Sequence, residues 1–212
     1  MKIAVIGATG YVGNAVVKEL AARGHKVTAF ARNIDKVFAA DNVTAVAADV
    51  NAADFADKLQ GFDAVVSAFN PGWNNPNIGA DFATGAAAIT EAAKSAAVPY
   101  LLVVGGAGSL YVAPGVQLVD TPQFPAEWKN GALAAREALN LLRQESTLQW
   151  TFLSPAILLE PGERTGHYRM GTESPLMNGD QPGKISVADL AVAIVDELEA
   201  PRHLQQRFTV AY

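Results

Sequence analysis

The sequence contains no cysteine in its 212 residues. Disulfides, thiolate metal sites and cysteine nucleophiles are excluded, and a reducing cytoplasm is the simplest setting to expect. Charge is also sparse. Only 17% of residues are charged, the net charge is −5, and Lys and Arg form no run. Binding to a nucleic-acid backbone needs clustered cations, so no nucleic-acid partner is expected. Histidine is scarce as well, and none of the three is spaced with carboxylates in a way that suggests a metal. No stretch of about 20 uncharged apolar residues marks a membrane span. The first strand-like run begins at residue 2, so no signal peptide is expected. The expected partner is a small-molecule substrate, with no membrane; the oligomeric state stays open.

What is abundant is apolar: half the residues are hydrophobic. The length suits one α/β domain over residues 1–212, with a sizeable core. The chain is organised around its beginning. Lys2–Ile6 is a short apolar run, followed by Gly7-Ala8-Thr9-Gly10-Tyr11-Val12-Gly13 and then a helix-forming stretch. This is the strand–turn–helix of a dinucleotide-binding half-fold. The first glycine allows a sharp turn, the second lets backbone approach a pyrophosphate, and the third lets helix lie close on strand. A second strand, Lys26–Ala31, completes a unit of about 30 residues, as this motif requires.

Strand and helix then alternate. Strands are expected at Val43–Ala47, Ala64–Ser67, Leu101–Val104, Trp150–Leu153 and Arg207–Ala211. Helices are expected at Tyr11–Arg23, Ile34–Ala39, Ala53–Leu59, Gly79–Ala96, Ala126–Glu145 and Val187–Leu198, the last capped by Ser186. Strands this apolar read as buried on both faces of a parallel sheet. The fold class is therefore α/β, a Rossmann-type doubly wound parallel sheet. Pro155–Gly183 is dense in Gly and Pro and is the candidate small C-terminal substrate lobe; the alternative is a structural cover over the sheet edge.

Ligands of such sheets sit at the carboxyl ends of the strands, where strand order reverses. After the second strand comes Arg32, and no acid lies between Thr28 and Asn33. A carboxylate there would repel a 2′-phosphate, whereas a guanidinium binds one through two parallel hydrogen bonds. NADP(H) is the expected cofactor; otherwise Arg32 is a solvated surface residue. Asp49 and Val50 follow the third strand, where Asp49 either accepts from the adenine amino group or N-caps the next helix. Ser67, Ala68 and Phe69 follow the fourth, and small residues there would let the cofactor pass. Asn70 either joins them or closes an Asx-turn before Pro71.

The glycine turn, Arg32, Asp49-Val50 and the Thr151–Pro155 segment together resemble the atypical short-chain dehydrogenase/reductases, in particular the NmrA-like and biliverdin-reductase-B-like NAD(P)-binding proteins. The resemblance spans nearly the whole chain. It implies a sheet of about seven strands, phosphate contacts from Gly7, Thr9, Gly10, Tyr11 and Val12, Arg32 at the 2′-phosphate, Asp49 and Val50 at adenine, and Ser67 to Phe69 along the cofactor. It also draws attention to Ser109, where the family often has a serine that hydrogen-bonds a substrate carbonyl.

One departure bears on chemistry. The usual dehydrogenases carry a Tyr and a Lys four residues apart as a proton-transfer pair. The tyrosines here are 11, 100, 111, 168 and 212, and none has lysine four residues on. Ser109 and Tyr111 are left as catalytic candidates, Ser109 to orient an oxygen and Tyr111 to donate a proton. Lys129 is a candidate for ribose or substrate. Arg169 is a candidate to attract an anionic substrate and Tyr168 to stack on a ring, both in the lobe. His25 is expected to be exposed and His203 to lack a partner. The expected activity is NADPH-dependent hydride transfer to a planar acceptor such as a flavin or quinone. The alternatives are a non-catalytic NADP(H) sensor of NmrA-like type and an epimerase or dehydratase.

Overall fold

The computed structural model describes all 212 residues. An eight-stranded sheet forms the centre: β1 (Lys2–Ile6), β2 (Lys26–Ala31), β3 (Val43–Ala47), β4 (Ala64–Ser67), β5 (Leu101–Val104), β6 (Trp150–Ser154), β7 (Arg169–Gly171) and β8 (Gln206–Ala211). Its order is β7-β8-β6-β5-β4-β1-β2-β3. Every pairing is parallel except that of β7 with β8. Strand order reverses between β1 and β4, which fixes where a ligand groove opens.

Helices α1 (Tyr11–Ala22), α2 (Phe55–Lys58), α3 (Ile78–Ser95), α4 (Ala126–Leu142) and α5 (Val187–Glu199) cover the two faces. Alternation along each strand decides which face a side chain joins. Ile3, Val5, Val27, Ala29 and Val66 meet Val16, Val17 and Leu20 of α1 and Leu190 and Ile194 of α5. Ala4, Ile6, Val65, Leu101, Val103 and Phe152 instead meet Phe55, Ile89 and Leu139. Full burial of a Val, Leu, Ile or Phe side chain contributes about 1.5–3 kcal/mol, so these two layers supply most of the drive to fold.

Local signals explain the helix ends. α1 stops because Gly24 takes φ +79°, while the amides of Gly24 and His25 donate to the carbonyls of Ala21 and Leu20. At α5, Ser186 Oγ accepts from the Asp189 amide at 3.0 Å, as the sequence leads one to expect.

Three expectations need correction. Residues 34–39 form no helix: Asn33 Oδ1 accepts from the Asp35 amide, and one Val37-to-Ile34 bond closes a turn. The helix at residues 53–59 shrinks to the single turn Phe55–Lys58. The sheet has eight strands rather than about seven, because Arg169–Gly171 adds an antiparallel edge. The remainder of 155–183 is irregular chain with short strands, and residues 164–168 of it lie against α1 and α5. There Arg164 pairs with Glu19 at 2.8 Å, Thr165 Oγ1 donates to Asp189 at 2.6 Å, and Tyr168 OH donates to Asp196 at 2.5 Å.

No helix is long and apolar enough to cross a membrane.

Candidate functional site

The turn between β1 and α1 is built by absences of side chain. Gly7 has φ +76°, and a Cβ on it would stand 2.5 Å from the Ala68 carbonyl oxygen at the end of β4. A Cβ on Gly13 would stand 2.1 Å from the Gly7 carbonyl oxygen. The amides of Gly7 and Ala8 both donate to the Phe30 carbonyl, at 3.1 and 3.2 Å, which ties the turn to β2. α1 begins after Gly10 with no side-chain cap and no acid in its first turn. Its leading N–H groups and positive dipole end are left for an anion.

In front of this turn lies a groove of about 450 Å³. Gly7, Thr9, Gly10, Arg32, Asp49, Val50, Ala68 and Phe69 all line it, so the structure gathers most of the expected cofactor contacts into one space. Ser67 is buried at the end of β4, Val12 packs against the core, and Tyr11 is 51% exposed beside a neighbouring hollow with Arg164. Burial, reinforced by the charge of Glu160, raises the Tyr11 phenol.

Arg32 is exposed, lines the groove and makes neither an ion pair nor a side-chain hydrogen bond. Asp49 Oδ1 accepts from the Asn51 amide at 2.9 Å, which caps a turn and leaves the second oxygen free. Asn70 does close an Asx-turn, accepting from the Gly72 amide at 2.7 Å, while still lining the groove. Asp81 and Thr84 of α3 also line it. Sequence reasoning missed both, although their spacing of three puts them on one helix face. The Phe69 wall depends on α3 as well: a Cβ on Gly85 would lie 2.4 Å from the Phe69 ring.

The catalytic candidates sit elsewhere. Ser109 is 2% exposed, and its Oγ accepts from Arg207 Nη1 at 2.9 Å. Tyr111 is half-buried, with the Arg207 guanidinium 5.9 Å from its ring centre. Neither lines the groove. Arg207 also pairs with Glu173, which Arg143 holds from its other side at 2.8 Å. Burial works to raise the Glu173 carboxyl, but hydrogen bonds from Arg207 and Arg143 outweigh it and lower it overall. Burial likewise works against the charge on Arg207, and Glu173 opposes that.

Other expectations change. His25 is buried, with Nε2 2.7 Å from Glu199 and Nδ1 3.3 Å from the Met1 amino group. His203 does have a partner, Glu197 at 2.9 Å, and stacks on Phe208. Arg169 donates to the Tyr212 carbonyl at 2.8 Å and to the Met177 carbonyl at 3.0 Å, so its guanidinium staples the chain. Tyr168 is held by Asp196, and burial raises its phenol.

The comparisons with known proteins agree with this geometry. A family model described as NAD(P)H-binding matches residues 7–201. The Bacillus subtilis protein YwnB is 44% identical over 215 residues, spanning 99% of this chain and 98% of its own. A solved structure from Bacteroides thetaiotaomicron, assigned provisionally as an epimerase, is 40% identical with a TM-score of 0.93, covering 100% of this chain and 96% of that one. A Streptococcus pneumoniae structure, assigned provisionally as an NADH-flavin reductase, is 39% identical with a TM-score of 0.87, covering 100% and 99%. Fold and groove thus define a Rossmann-type nucleotide-binding protein of the atypical short-chain dehydrogenase/reductase group. Within that group the chain belongs to the NAD(P)H-binding family.

Proposed function

We propose that the protein is an NADPH-dependent oxidoreductase that passes hydride to a planar conjugated acceptor, a flavin or a quinone. The observation that carries the choice of NADPH is Arg32, a groove-lining guanidinium with no partner in the protein. A 2′-phosphate would give it two charge-assisted hydrogen bonds.

The residues fit the dinucleotide because the glycine cradle leaves space where any Cβ would collide with backbone. Gly7, Thr9, Gly10 and the amides opening α1 would hold the pyrophosphate, with Asp49 and Val50 at adenine and Ala68 and Phe69 along the cofactor. Bound there, the dinucleotide supplies the hydride. The chain's own task is to bind, orient and exclude water. The titratable residues lining the groove are Arg32, Asp49 and Asp81; no Tyr–Lys pair is among them. A planar acceptor suits such a site, since it is oriented by stacking and takes its proton from solvent. The flavin-reductase assignment of the pneumococcal relative supports the same acceptor class. Ser109 and Tyr111 belong to the acceptor side of this reading.

The test is to mix purified protein with NADPH or NADH, add FMN and then quinones, and follow the reduced-nicotinamide absorbance. NADPH-selective, acceptor-dependent loss is the expected result. Tight NADPH binding with no turnover on any acceptor would sink the reductase and leave a sensor.

A further inference from the structure

The carboxyl edge of the sheet carries a second polar cluster, on the far side of β4 from Arg32. Outward from β1 the strands run β4, β5, β6, β8. At about 4.8 Å per strand, β6 lies roughly 14 Å from the glycine turn within the sheet. Arg207 stands in register with Phe152, and Thr209 with Ser154. Phe152 belongs to the α3/α4 side, so all four side chains share that face. Ser109, just beyond β5, joins them through its hydrogen bond from Arg207.

Three buried side-chain atoms in the protein have no hydrogen-bond partner: Ser154 Oγ, Thr209 Oγ1 and Arg207 Nε. All three fall in this one cluster. An unpaired buried polar group forfeits its hydration without compensation, and native proteins rarely leave one so. Three on one face of two paired strands point to a group that completes them. What sits on the guanidinium is itself informative. Glu173 comes from the irregular 155–183 segment, is 44% exposed, and brings a carboxylate to a fully buried Arg207 side chain.

We propose that Arg207, Ser109, Ser154 and Thr209 form a subsite for a carboxylate carried by the acceptor, and that Glu173 occupies the guanidinium until that carboxylate replaces it. The inference rests on the reductase reading for the ligand's role, and on the cluster alone for its chemistry. Glu173 lowers apparent affinity by the fraction of time it holds Arg207. The segment then serves as the cover of an acceptor site rather than only as packing.

The test uses benzoate as the probe and benzamide as its uncharged isostere, titrated calorimetrically into the full-length protein. Glu173→Gln should bind benzoate about tenfold more tightly than wild type, with no gain for benzamide. The double variant Glu173→Gln/Arg207→Gln removes charge and counter-charge together and should lose the benzoate response; should it fail to fold, the single variant still decides. No benzoate binding by Glu173→Gln, affinity equal to wild type, or an equal gain for benzamide overturns the proposal. NADPH consumption with FMN and quinones is measured on the same samples. Turnover with a flat benzoate response removes the subsite and keeps the reductase. A benzoate response without turnover does the reverse.

Discussion

A side-chain carbon on Gly13 would lie 2.1 Å from the carbonyl oxygen of Gly7, six residues earlier in the chain. That proximity seats α1 on the end of β1 and aims the helix at the groove. Gly13→Ala must push the helix off the turn, because the atom it meets is backbone and cannot rotate away. A loss of about 3 kcal/mol is expected, with weakened binding of both NADPH and NADH. Thermal unfolding and cofactor titration together check it; a variant with unchanged melting and unchanged binding contradicts the account of the turn.

Arg32→Glu tests the cofactor choice separately from the turn. In the proposed NADPH complex it replaces two charge-assisted hydrogen bonds to the 2′-phosphate with repulsion. NADPH binding should weaken about 100-fold, while NADH, which lacks that phosphate, should change little. Equal losses for the two cofactors would remove Arg32 from the site.

Ser109→Ala and Tyr111→Phe test the proposed acceptor side and separate holding from chemistry there. The first takes from buried Arg207 one of its acceptors and should cost about 1–3 kcal/mol of stability along with turnover. The second should leave the melting temperature near wild type, because the Tyr111 hydroxyl donates to nothing in the structure. A fall in kcat for Tyr111→Phe, at unchanged stability, would assign it the proton. An unchanged kcat supports protonation from solvent.

Glu19 predicts a pH dependence. It is 6% exposed; hydrogen bonds from Arg164 lower its carboxyl, burial opposes them, and Arg23 adds to the lowering. A carboxyl lowered in the folded state stabilises above its unfolded value and loses that contribution as pH falls through the folded one. The ordinary glutamate carboxyl value is 4.5, so the loss belongs below about pH 4.5. Glu19→Gln should be less stable by about 2 kcal/mol at neutral pH and should show a flatter decline in melting temperature towards pH 3. Parallel profiles for variant and wild type would contradict the ionised network.

Much of the architecture is legible in the sequence because its causes are local. The glycine turn, the apolar strands, the Gly24 stop and the Ser186 cap each act within a few residues. What stays hidden depends on distant partners. His25 gives no sign of burial because Glu199, which receives it, lies 174 residues away. Arg207 sits within a strand opposite Ser109 and Glu173, neither of them near it in sequence. Residues 34–39 carry a helix-like composition, yet Asn33 offers the backbone a competing turn. β7 is only three residues long and is recognisable solely through its pairing with β8. The groove follows the same division. Its floor was readable from the ends of β1 to β4, whereas the contributions of Asp81 and Thr84 needed α3 to be laid across it.

The Phe69 ring can wall the groove because Gly85, across the helix–sheet interface, gives it room. The dimensions of the groove are therefore set partly from behind, by a residue that does not line it. For an engineer this makes residues 69 and 85 a single adjustable volume: shortening the one creates space that a methyl on the other can fill. Opening or narrowing the channel then becomes an exchange of carbon between wall and buttress, with the glycine turn at its floor left unaltered.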